Sequence, residues 1–335
     1  MSTTFPTAFT GVAGIDLPIV QAPIGGLARP ELAAAVSNAG GLGMLALTWS
    51  EKDVIDERLR RVVGLTTRPV GVNLILAWEQ GDRLRHVLDH GVGIVSFFWG
   101  DPAPLVPIAH AGGAIVIHSV GSVGEARRAV DAGVDVIVAQ GWEAGGHVRG
   151  DVATMALVPA VCDAVGSVPV LAAGGIADGR GLAAALALGA AGVWIGTRFV
   201  MAAETAAHPR YRELLTAAAV DDTLHSRLFD GAWPDAPHRT LRNSTIAAWE
   251  AAGRPVNGRP GEGDVIATVG GEPSLRYESA SPAIEASGDV EAMSLWAGQS
   301  VGLIRDVQPA ADIVRRIADD ARTRLVAAAE SASQA

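Results

Sequence analysis

One feature constrains this chain more than any other: a repeated alternation along its first 200 residues. Eight short apolar runs recur there, at 18–22, 42–47, 69–75, 93–97, 114–118, 135–139, 168–172 and 191–195. Continuous apolar runs of this length fit strands buried on both faces, as in a parallel sheet. The segments between them read as helices. Pro30 suits a first helical turn and Gly40 a helix end. Ser122 and Glu125 have capping-box spacing with Gly133 as a stop, and Asp178 can cap the helix that runs to Gly189. Strands alternating with helices eight times predict a closed α/β architecture, the (β/α)8 TIM barrel. An open doubly wound sheet is the alternative.

After residue 217 the rhythm stops. Residues 218–296 carry Trp233-Pro234-Asp235 and a Gly/Pro-rich stretch at 253–264. They read as a lid inserted after the eighth strand and packed over the barrel mouth. The barrel is then 1–217 together with 297–329, closed by an amphipathic helix at about 308–329, with 330–335 as a flexible tail.

Composition narrows the function. The chain has 335 residues and is 49% hydrophobic, so disorder is not the default. Its net charge is −10 and no basic cluster stands out, which argues against nucleic-acid binding. The single cysteine, Cys162, excludes an intrachain disulfide and agrees with a cytoplasmic location. Met1 to Pro6 lacks the charged and apolar regions of a signal peptide. The uncharged part of 181–197 is divided by Gly189 and the Ala-Gly pair at 191–192, so it reads as helix then strand, not a membrane span. Lys52 is the only lysine and sits at a helix start, which leaves no plausible Schiff-base residue. A homodimer is expected only because such dimers are common among soluble oligomers.

Two glycine sites fall at adjacent strand ends: Gly174-Gly175 after the seventh strand, and Trp194-Ile195-Gly196-Thr197 at the end of the eighth. Barrels of this kind commonly bind phosphate between these two loops. Glycines let backbone N–H groups approach the phosphate, and a following helix N-terminus adds favourable dipole charge. Tight βα turns alone would also use glycine here. A second concentrated signal follows the sixth strand, Gln140-Gly-Trp-Glu-Ala-Gly-Gly-His147. A histidine on a glycine-rich loop at the same mouth is a candidate acid or base, although a lone histidine is more often structural.

The 140–147 segment closely resembles the signature of the nitronate monooxygenase family, formerly 2-nitropropane dioxygenases. Further matches are Pro18-Ile-Val-Gln-Ala-Pro-Ile-Gly-Gly26, Ala39-Gly-Gly-Leu-Gly43, Gly71-Val-Asn-Leu74, Gly174-Gly-Ile176, Ile195-Gly-Thr197 and Leu295-Trp-Ala-Gly-Gln299. The resemblance spans nearly the whole chain, and the central motif is shared with FMN-dependent enoyl-acyl-carrier-protein reductases. It implies flavin mononucleotide (FMN) as cofactor and an alkyl nitronate and O2 as small-molecule partners. The products would be a carbonyl compound and nitrite. His147 would be the catalytic residue, contacting the nitro group or taking the α-proton of a nitroalkane. Asn73 and Gln140 would hydrogen-bond the flavin, with Ala22 and Pro23 under its ring and Gly145 touching it through the backbone. Gly174, Gly175, Trp194, Ile195, Gly196 and Thr197 would cradle its phosphate.

The chain departs from the pattern in places. Some relatives carry a lysine at the end of strand five, where this chain has His118-Ser119; His118 could replace that cation only by pointing inward. Some carry Asp where Gln140 stands. The same loops would also serve an NAD(P)H-using enoyl reductase, a non-catalytic flavin-binding protein, or a phosphate-binding barrel without flavin. No metal is expected: His86 and His90 share a helix face at ligand spacing, but the intervening residues lack the glutamate of a His-Glu-x-x-His site. Trp142 either lines the pocket or packs on its loop, and Glu143 orients His147 or the loop backbone.

Overall fold

A computed structural model describes residues 4–334 of the chain. Met1–Thr3, part of the segment read for a leader, and Ala335 of the expected tail lie outside the described residues. Eight parallel strands form one sheet: β1 (Ile19–Gln21), β2 (Gly43–Ala46), β3 (Val70–Ile75), β4 (Ile94–Phe98), β5 (Ile115–Val120), β6 (Val136–Gln140), β7 (Val170–Ala173) and β8 (Gly192–Ile195). Sequential strands pair from β2 through β8, and β8 pairs with β1 in the register Val20 to Trp194, while a single bridge, Val20 to Leu42, joins β1 toward β2.

The seam between β1 and β2 decides between a barrel and an open sheet. Gln21 N–H donates to Leu42 O at 3.0 Å, and Leu42 N–H to Ile19 O at 2.9 Å. The Gln21 carboxamide then extends the ladder: Oε1 accepts from Met44 N–H at 3.1 Å and Nε2 donates to Met44 O at 3.3 Å. The side chain takes the place of backbone partners that these short strands lack, and the barrel closes.

The apolar runs are continuous because both faces of each strand are buried. Val72, Leu74, Val95, Phe97, Val116 and Val120 pack outward under the helices. Val20, Met44, Ile117, Val138, Leu171 and Trp194 fill the interior. Each such side chain contributes about 1.5–3 kcal/mol by leaving water. Alternation along β5 therefore places His118 outward beside Val116 and Val120, while Ser119 follows Ile117 inward. His118 does not replace the missing lysine. It is buried, its Nδ1 has no partner, and burial pushes its pKa down to about 4.

Connecting helices cover the barrel, including Pro30–Asn38, Lys52–Leu65, Gly81–Asp89, Val123–Asp131, Thr154–Val165 and Gly179–Ala187. Several caps follow the sequence reading. Ser122 accepts from Glu125 N–H, although Glu125 reaches back to Gly121 N–H rather than to Ser122. Lys52 opens its helix and is exposed. The last helix runs Ala310–Ser333, so it takes in residues 330–333 of the segment expected as a tail. It packs closely on Gly179–Ala187: a Cβ on Gly179 would lie 2.5 Å from Ala321 N. Among the described residues no helix is long and apolar enough to cross a membrane.

The segment after β8 is structured. Its strands are β9 (Thr223–Ser226), β10 (His238–Leu241), β11 (Val265–Val269), β12 (Glu272–Leu275) and β13 (Ala286–Gly288). The last three form a small antiparallel sheet. β9 and β10 form another, extended by the two-residue strand Gly146–His147. The glycine loop after β6 is thus stitched to the segment that follows the barrel.

Candidate active site

A cavity of about 790 Å³ opens at the C-terminal ends of the barrel strands. Of the twelve site residues expected from sequence, eleven line it: Ala22, Pro23, Asn73, Gln140, Gly145, His147, Gly174, Gly175, Trp194, Gly196 and Thr197. Ile195 does not. Its side chain joins the outer core, and its carbonyl accepts from Ala22 N–H at 2.8 Å. Trp142 also stays out of the cavity and packs against its own loop's supports.

The glycines are there for two different reasons. Gly174 and Gly175 have φ of +103° and +73°, a region that disfavours any side chain. Gly145 is fixed by space instead, since a Cβ there would lie 2.3 Å from Gly298 N. At the neighbouring strand end, Thr197 Oγ1 accepts from Gly298 N–H at 3.0 Å, leaving its own proton free to donate. The helix after Gly175 contributes less than expected. Its first turn is occupied by the Asp178 carboxylate, which accepts from Arg180 N–H and pairs with the Arg180 guanidinium.

The loop that carries His147 is held from three sides. Gln140 Nε2 donates to His147 O, and Gln140 Oε1 accepts from Arg149 N–H, both at 3.0 Å. Gln140 therefore positions the loop while it also lines the cavity. Glu143 accepts from Thr154 N–H and Oγ1–H at 2.9 Å, capping the helix Thr154–Val165. Arg239 is buried, and among the described residues no carboxylate is bonded to it. It donates to Trp142 O at 2.9 Å and to Thr223 Oγ1 at 3.2 Å, and lies 4.2 Å over the Trp142 ring.

His147 sits in an aromatic box. Its ring stacks on Trp233 at 4.1 Å, with Trp296 at 5.2 Å and Trp99 edge-on at 6.3 Å. Its Nε2 is buried with no hydrogen-bond partner, and burial pushes its pKa down to about 3. Neighbouring His238 accepts from Phe229 N–H at Nε2, so Nδ1 bears the proton and donates to Ala236 O. Burial moves its pKa down to about 4, and it remains neutral beside His147. Trp233 also meets Trp78 at 4.9 Å and Trp99 at 5.0 Å, and Trp49 meets Trp78 at 5.3 Å. The Arg29–Glu285 pair, 2.7 Å, ties the barrel to the later segment at the cavity edge. Sequence reading missed this tryptophan cluster, His238 and Arg239. Each lies far along the chain from the motif it serves.

Comparison with known proteins agrees with this geometry. The chain is 39% identical to a (3aS,4S,5R,7aS)-5-hydroxy-7a-methyl-1-oxo-octahydro-1H-indene-4-carboxyl-CoA dehydrogenase of Mycobacterium tuberculosis, over 74% of this chain and 69% of that protein. It is 35% identical to a nitronate monooxygenase of Pseudomonas aeruginosa, over 94% of this chain and 99% of that protein. Among solved structures, FabK from Thermotoga maritima superposes with a TM-score of 0.85 at 32% identity, covering 98% of this chain and 100% of that one. The family model described as Nitronate monooxygenase matches residues 6–82 and 76–320, and the chain belongs to that family.

Proposed function

We propose that the protein is an FMN-dependent oxidoreductase that converts alkyl nitronates and O2 to a carbonyl compound and nitrite. The observation that carries this reading is the meeting, in one cavity, of a glycine cradle and a neutral histidine with an unpartnered ring nitrogen. The cradle fits a phosphate: Gly174, Gly175, Gly196 and Thr197 offer backbone N–H groups and a hydroxyl without a side chain in the way. Ala22 and Pro23 give an apolar floor for a flat ring, and Asn73, held by Ser96 at 2.9 Å, offers an amide at its edge. FMN bound there would supply the electron acceptor that couples a nitronate to O2.

The protein's own contribution is orientation and exclusion of water. A histidine whose conjugate acid has a pKa of about 3 is a weak base at neutral pH. It suits a hydrogen bond to an anionic nitronate oxygen better than removal of a carbon-bound proton from a neutral nitroalkane. The tryptophans around it keep that hydrogen bond in a low-dielectric setting, where it is stronger than in water. Residues 218–296 act as the lid that shapes the substrate space, through Trp233 above all. The test is nitrite release by FMN-loaded protein supplied with a nitronate or its parent nitroalkane. We expect faster turnover of the nitronate, and His147→Ala should keep FMN while losing turnover. Equal rates on both compounds would overturn the assigned role of His147.

A second reading has a specific observation in its favour. The relative at 39% identity is named as a dehydrogenase of a bicyclic carboxyl-CoA, and a wide tryptophan-lined cavity suits a bulky apolar substrate. Reaction of the bound flavin with NADH, and not with a nitronate, would favour it.

A further inference from the structure

Outside the cavity, three ligating groups from two adjacent helices converge on the outer layer of the barrel. Asp56 stands on the helix Lys52–Leu65. His86 lies on the helix Gly81–Asp89, and His90 follows at its C-terminal cap. His86 Nε2 lies 2.7 Å from Asp56 Oδ1, and His90 Nε2 lies 3.2 Å from the same oxygen. One ligating atom from each residue falls within 4.8 Å of the other two. None of the three lines the cavity.

The protons make this arrangement informative. His90 Nδ1 is 2.9 Å from His86 O. A carbonyl only accepts, so Nδ1 carries the hydrogen, and in a neutral ring Nε2 then holds a lone pair. The nearest carboxylate oxygen, Asp56 Oδ1, lies 3.2 Å from that nitrogen and is also an acceptor. His86 can donate its own Nε2–H to Asp56, but neutral His90 has nothing to donate. Two acceptor atoms 3.2 Å apart with no proton between them suit a shared cation. A ligating histidine usually donates its second ring N–H to a carbonyl or carboxylate, which is what His90 does.

We propose that Asp56, His86 and His90 bind a divalent transition metal of the zinc class. Two imidazole nitrogens and one carboxylate suit zinc, with a fourth position left for water, and are too poor in oxygen for calcium or magnesium. Tetrahedral zinc at about 2.0–2.2 Å from each ligand sets ligand atoms roughly 3.3–3.5 Å apart. The His90–Asp56 separation is already close to that, and the His86–Asp56 contact has to open by less than about 1 Å. The side chains are 20–36% exposed, so an ion can reach them from solvent. The metal clamps two helices whose leading loops carry Trp49 and Trp78, the pair 5.3 Å apart in the tryptophan cluster. Its role is structural, bracing the cavity mouth, and does not depend on the function proposed above.

The experiment is titration of chelator-stripped full-length protein with Zn2+ by calorimetry, and with Co2+ by absorbance to the red of any flavin band. We expect one saturable equivalent, tetrahedral d–d bands with Co2+, and a zinc-dependent rise in melting temperature. Asp56→Asn and His90→Gln should each weaken binding at least about tenfold and abolish that rise. His110→Gln, which alters the separate His110–Asp135 pair, should change neither. Absence of a stoichiometric site, or uptake unaffected by both Asp56→Asn and His90→Gln, overturns the proposal. The cobalt spectrum reports ligand geometry directly, so a folding defect in one variant cannot imitate a positive result.

Discussion

Mild acid should destabilise this protein well before its carboxylates titrate. Three buried histidines have pKa values far below the ordinary 6.5: His118 and His238 at about 4, and His147 at about 3. Burial is the leading cause for each. Because the folded values lie below the unfolded one, the unfolded chain takes up protons first. The histidine contribution is complete above about pH 6.5 and is lost as the pH falls toward the folded values. At pH 5 each unfolded histidine gains about 1.5 pH units of proton binding, or about 2 kcal/mol. Three of them give roughly 6 kcal/mol, set against a typical total stability of about 5–15 kcal/mol. The assay is the urea midpoint at pH 7, 6 and 5, at fixed ionic strength and with FMN in constant excess. It should fall steeply, by the equivalent of roughly three protons. His118→Gln, which lies outside the cavity, should reduce the slope by about a third. A midpoint unchanged between pH 7 and pH 5, or a slope unaltered by His118→Gln, would refute the reasoning.

Further substitutions separate roles within the site. Gln140→Leu removes two hydrogen bonds to the His147 loop, so kcat should fall roughly tenfold with FMN affinity little changed; a large loss of FMN affinity would return Gln140 to a direct flavin contact. Gly145→Ala drives a methyl against Gly298 N and the Ala297 carbonyl carbon, at 2.3 and 2.5 Å, and should yield protein with little bound flavin by absorbance. Trp233→Ala uncovers the face of the His147 ring, and NMR titration should show its pKa rising from about 3 toward the ordinary imidazole range. The same change should cost about 3 kcal/mol of stability, read by urea denaturation.

The barrel was legible because each buried strand leaves a run of apolar residues, and several connecting helices leave a cap or a glycine stop. The expected strands agree with the observed ones to within one or two residues, as for 69–75 against Val70–Ile75. The cofactor-side residues were legible because glycine pairs mark local backbone demands. What local pattern cannot encode is convergence. Trp49, Trp78, Trp99, Trp233 and Trp296 come from separate loops and meet only in the fold. Gln140 has the chemistry of a ligand, and only the closed loop shows its amide already engaged. The His118 question needed the register of β5, since a one-residue slip would have turned it inward. The pair His86 and His90 lacks the glutamate of a local metal motif, and only the neighbouring helix brings Asp56 beside it.

The central claim is that the cavity holds a flavin that reacts with nitronates. The most direct measurement is flavin bleaching in anaerobic, FMN-loaded protein, mixed separately with an alkyl nitronate and with NADH. The account predicts bleaching by the nitronate and none by NADH. Bleaching by NADH alone would contradict it and assign the site to a reductase or dehydrogenase.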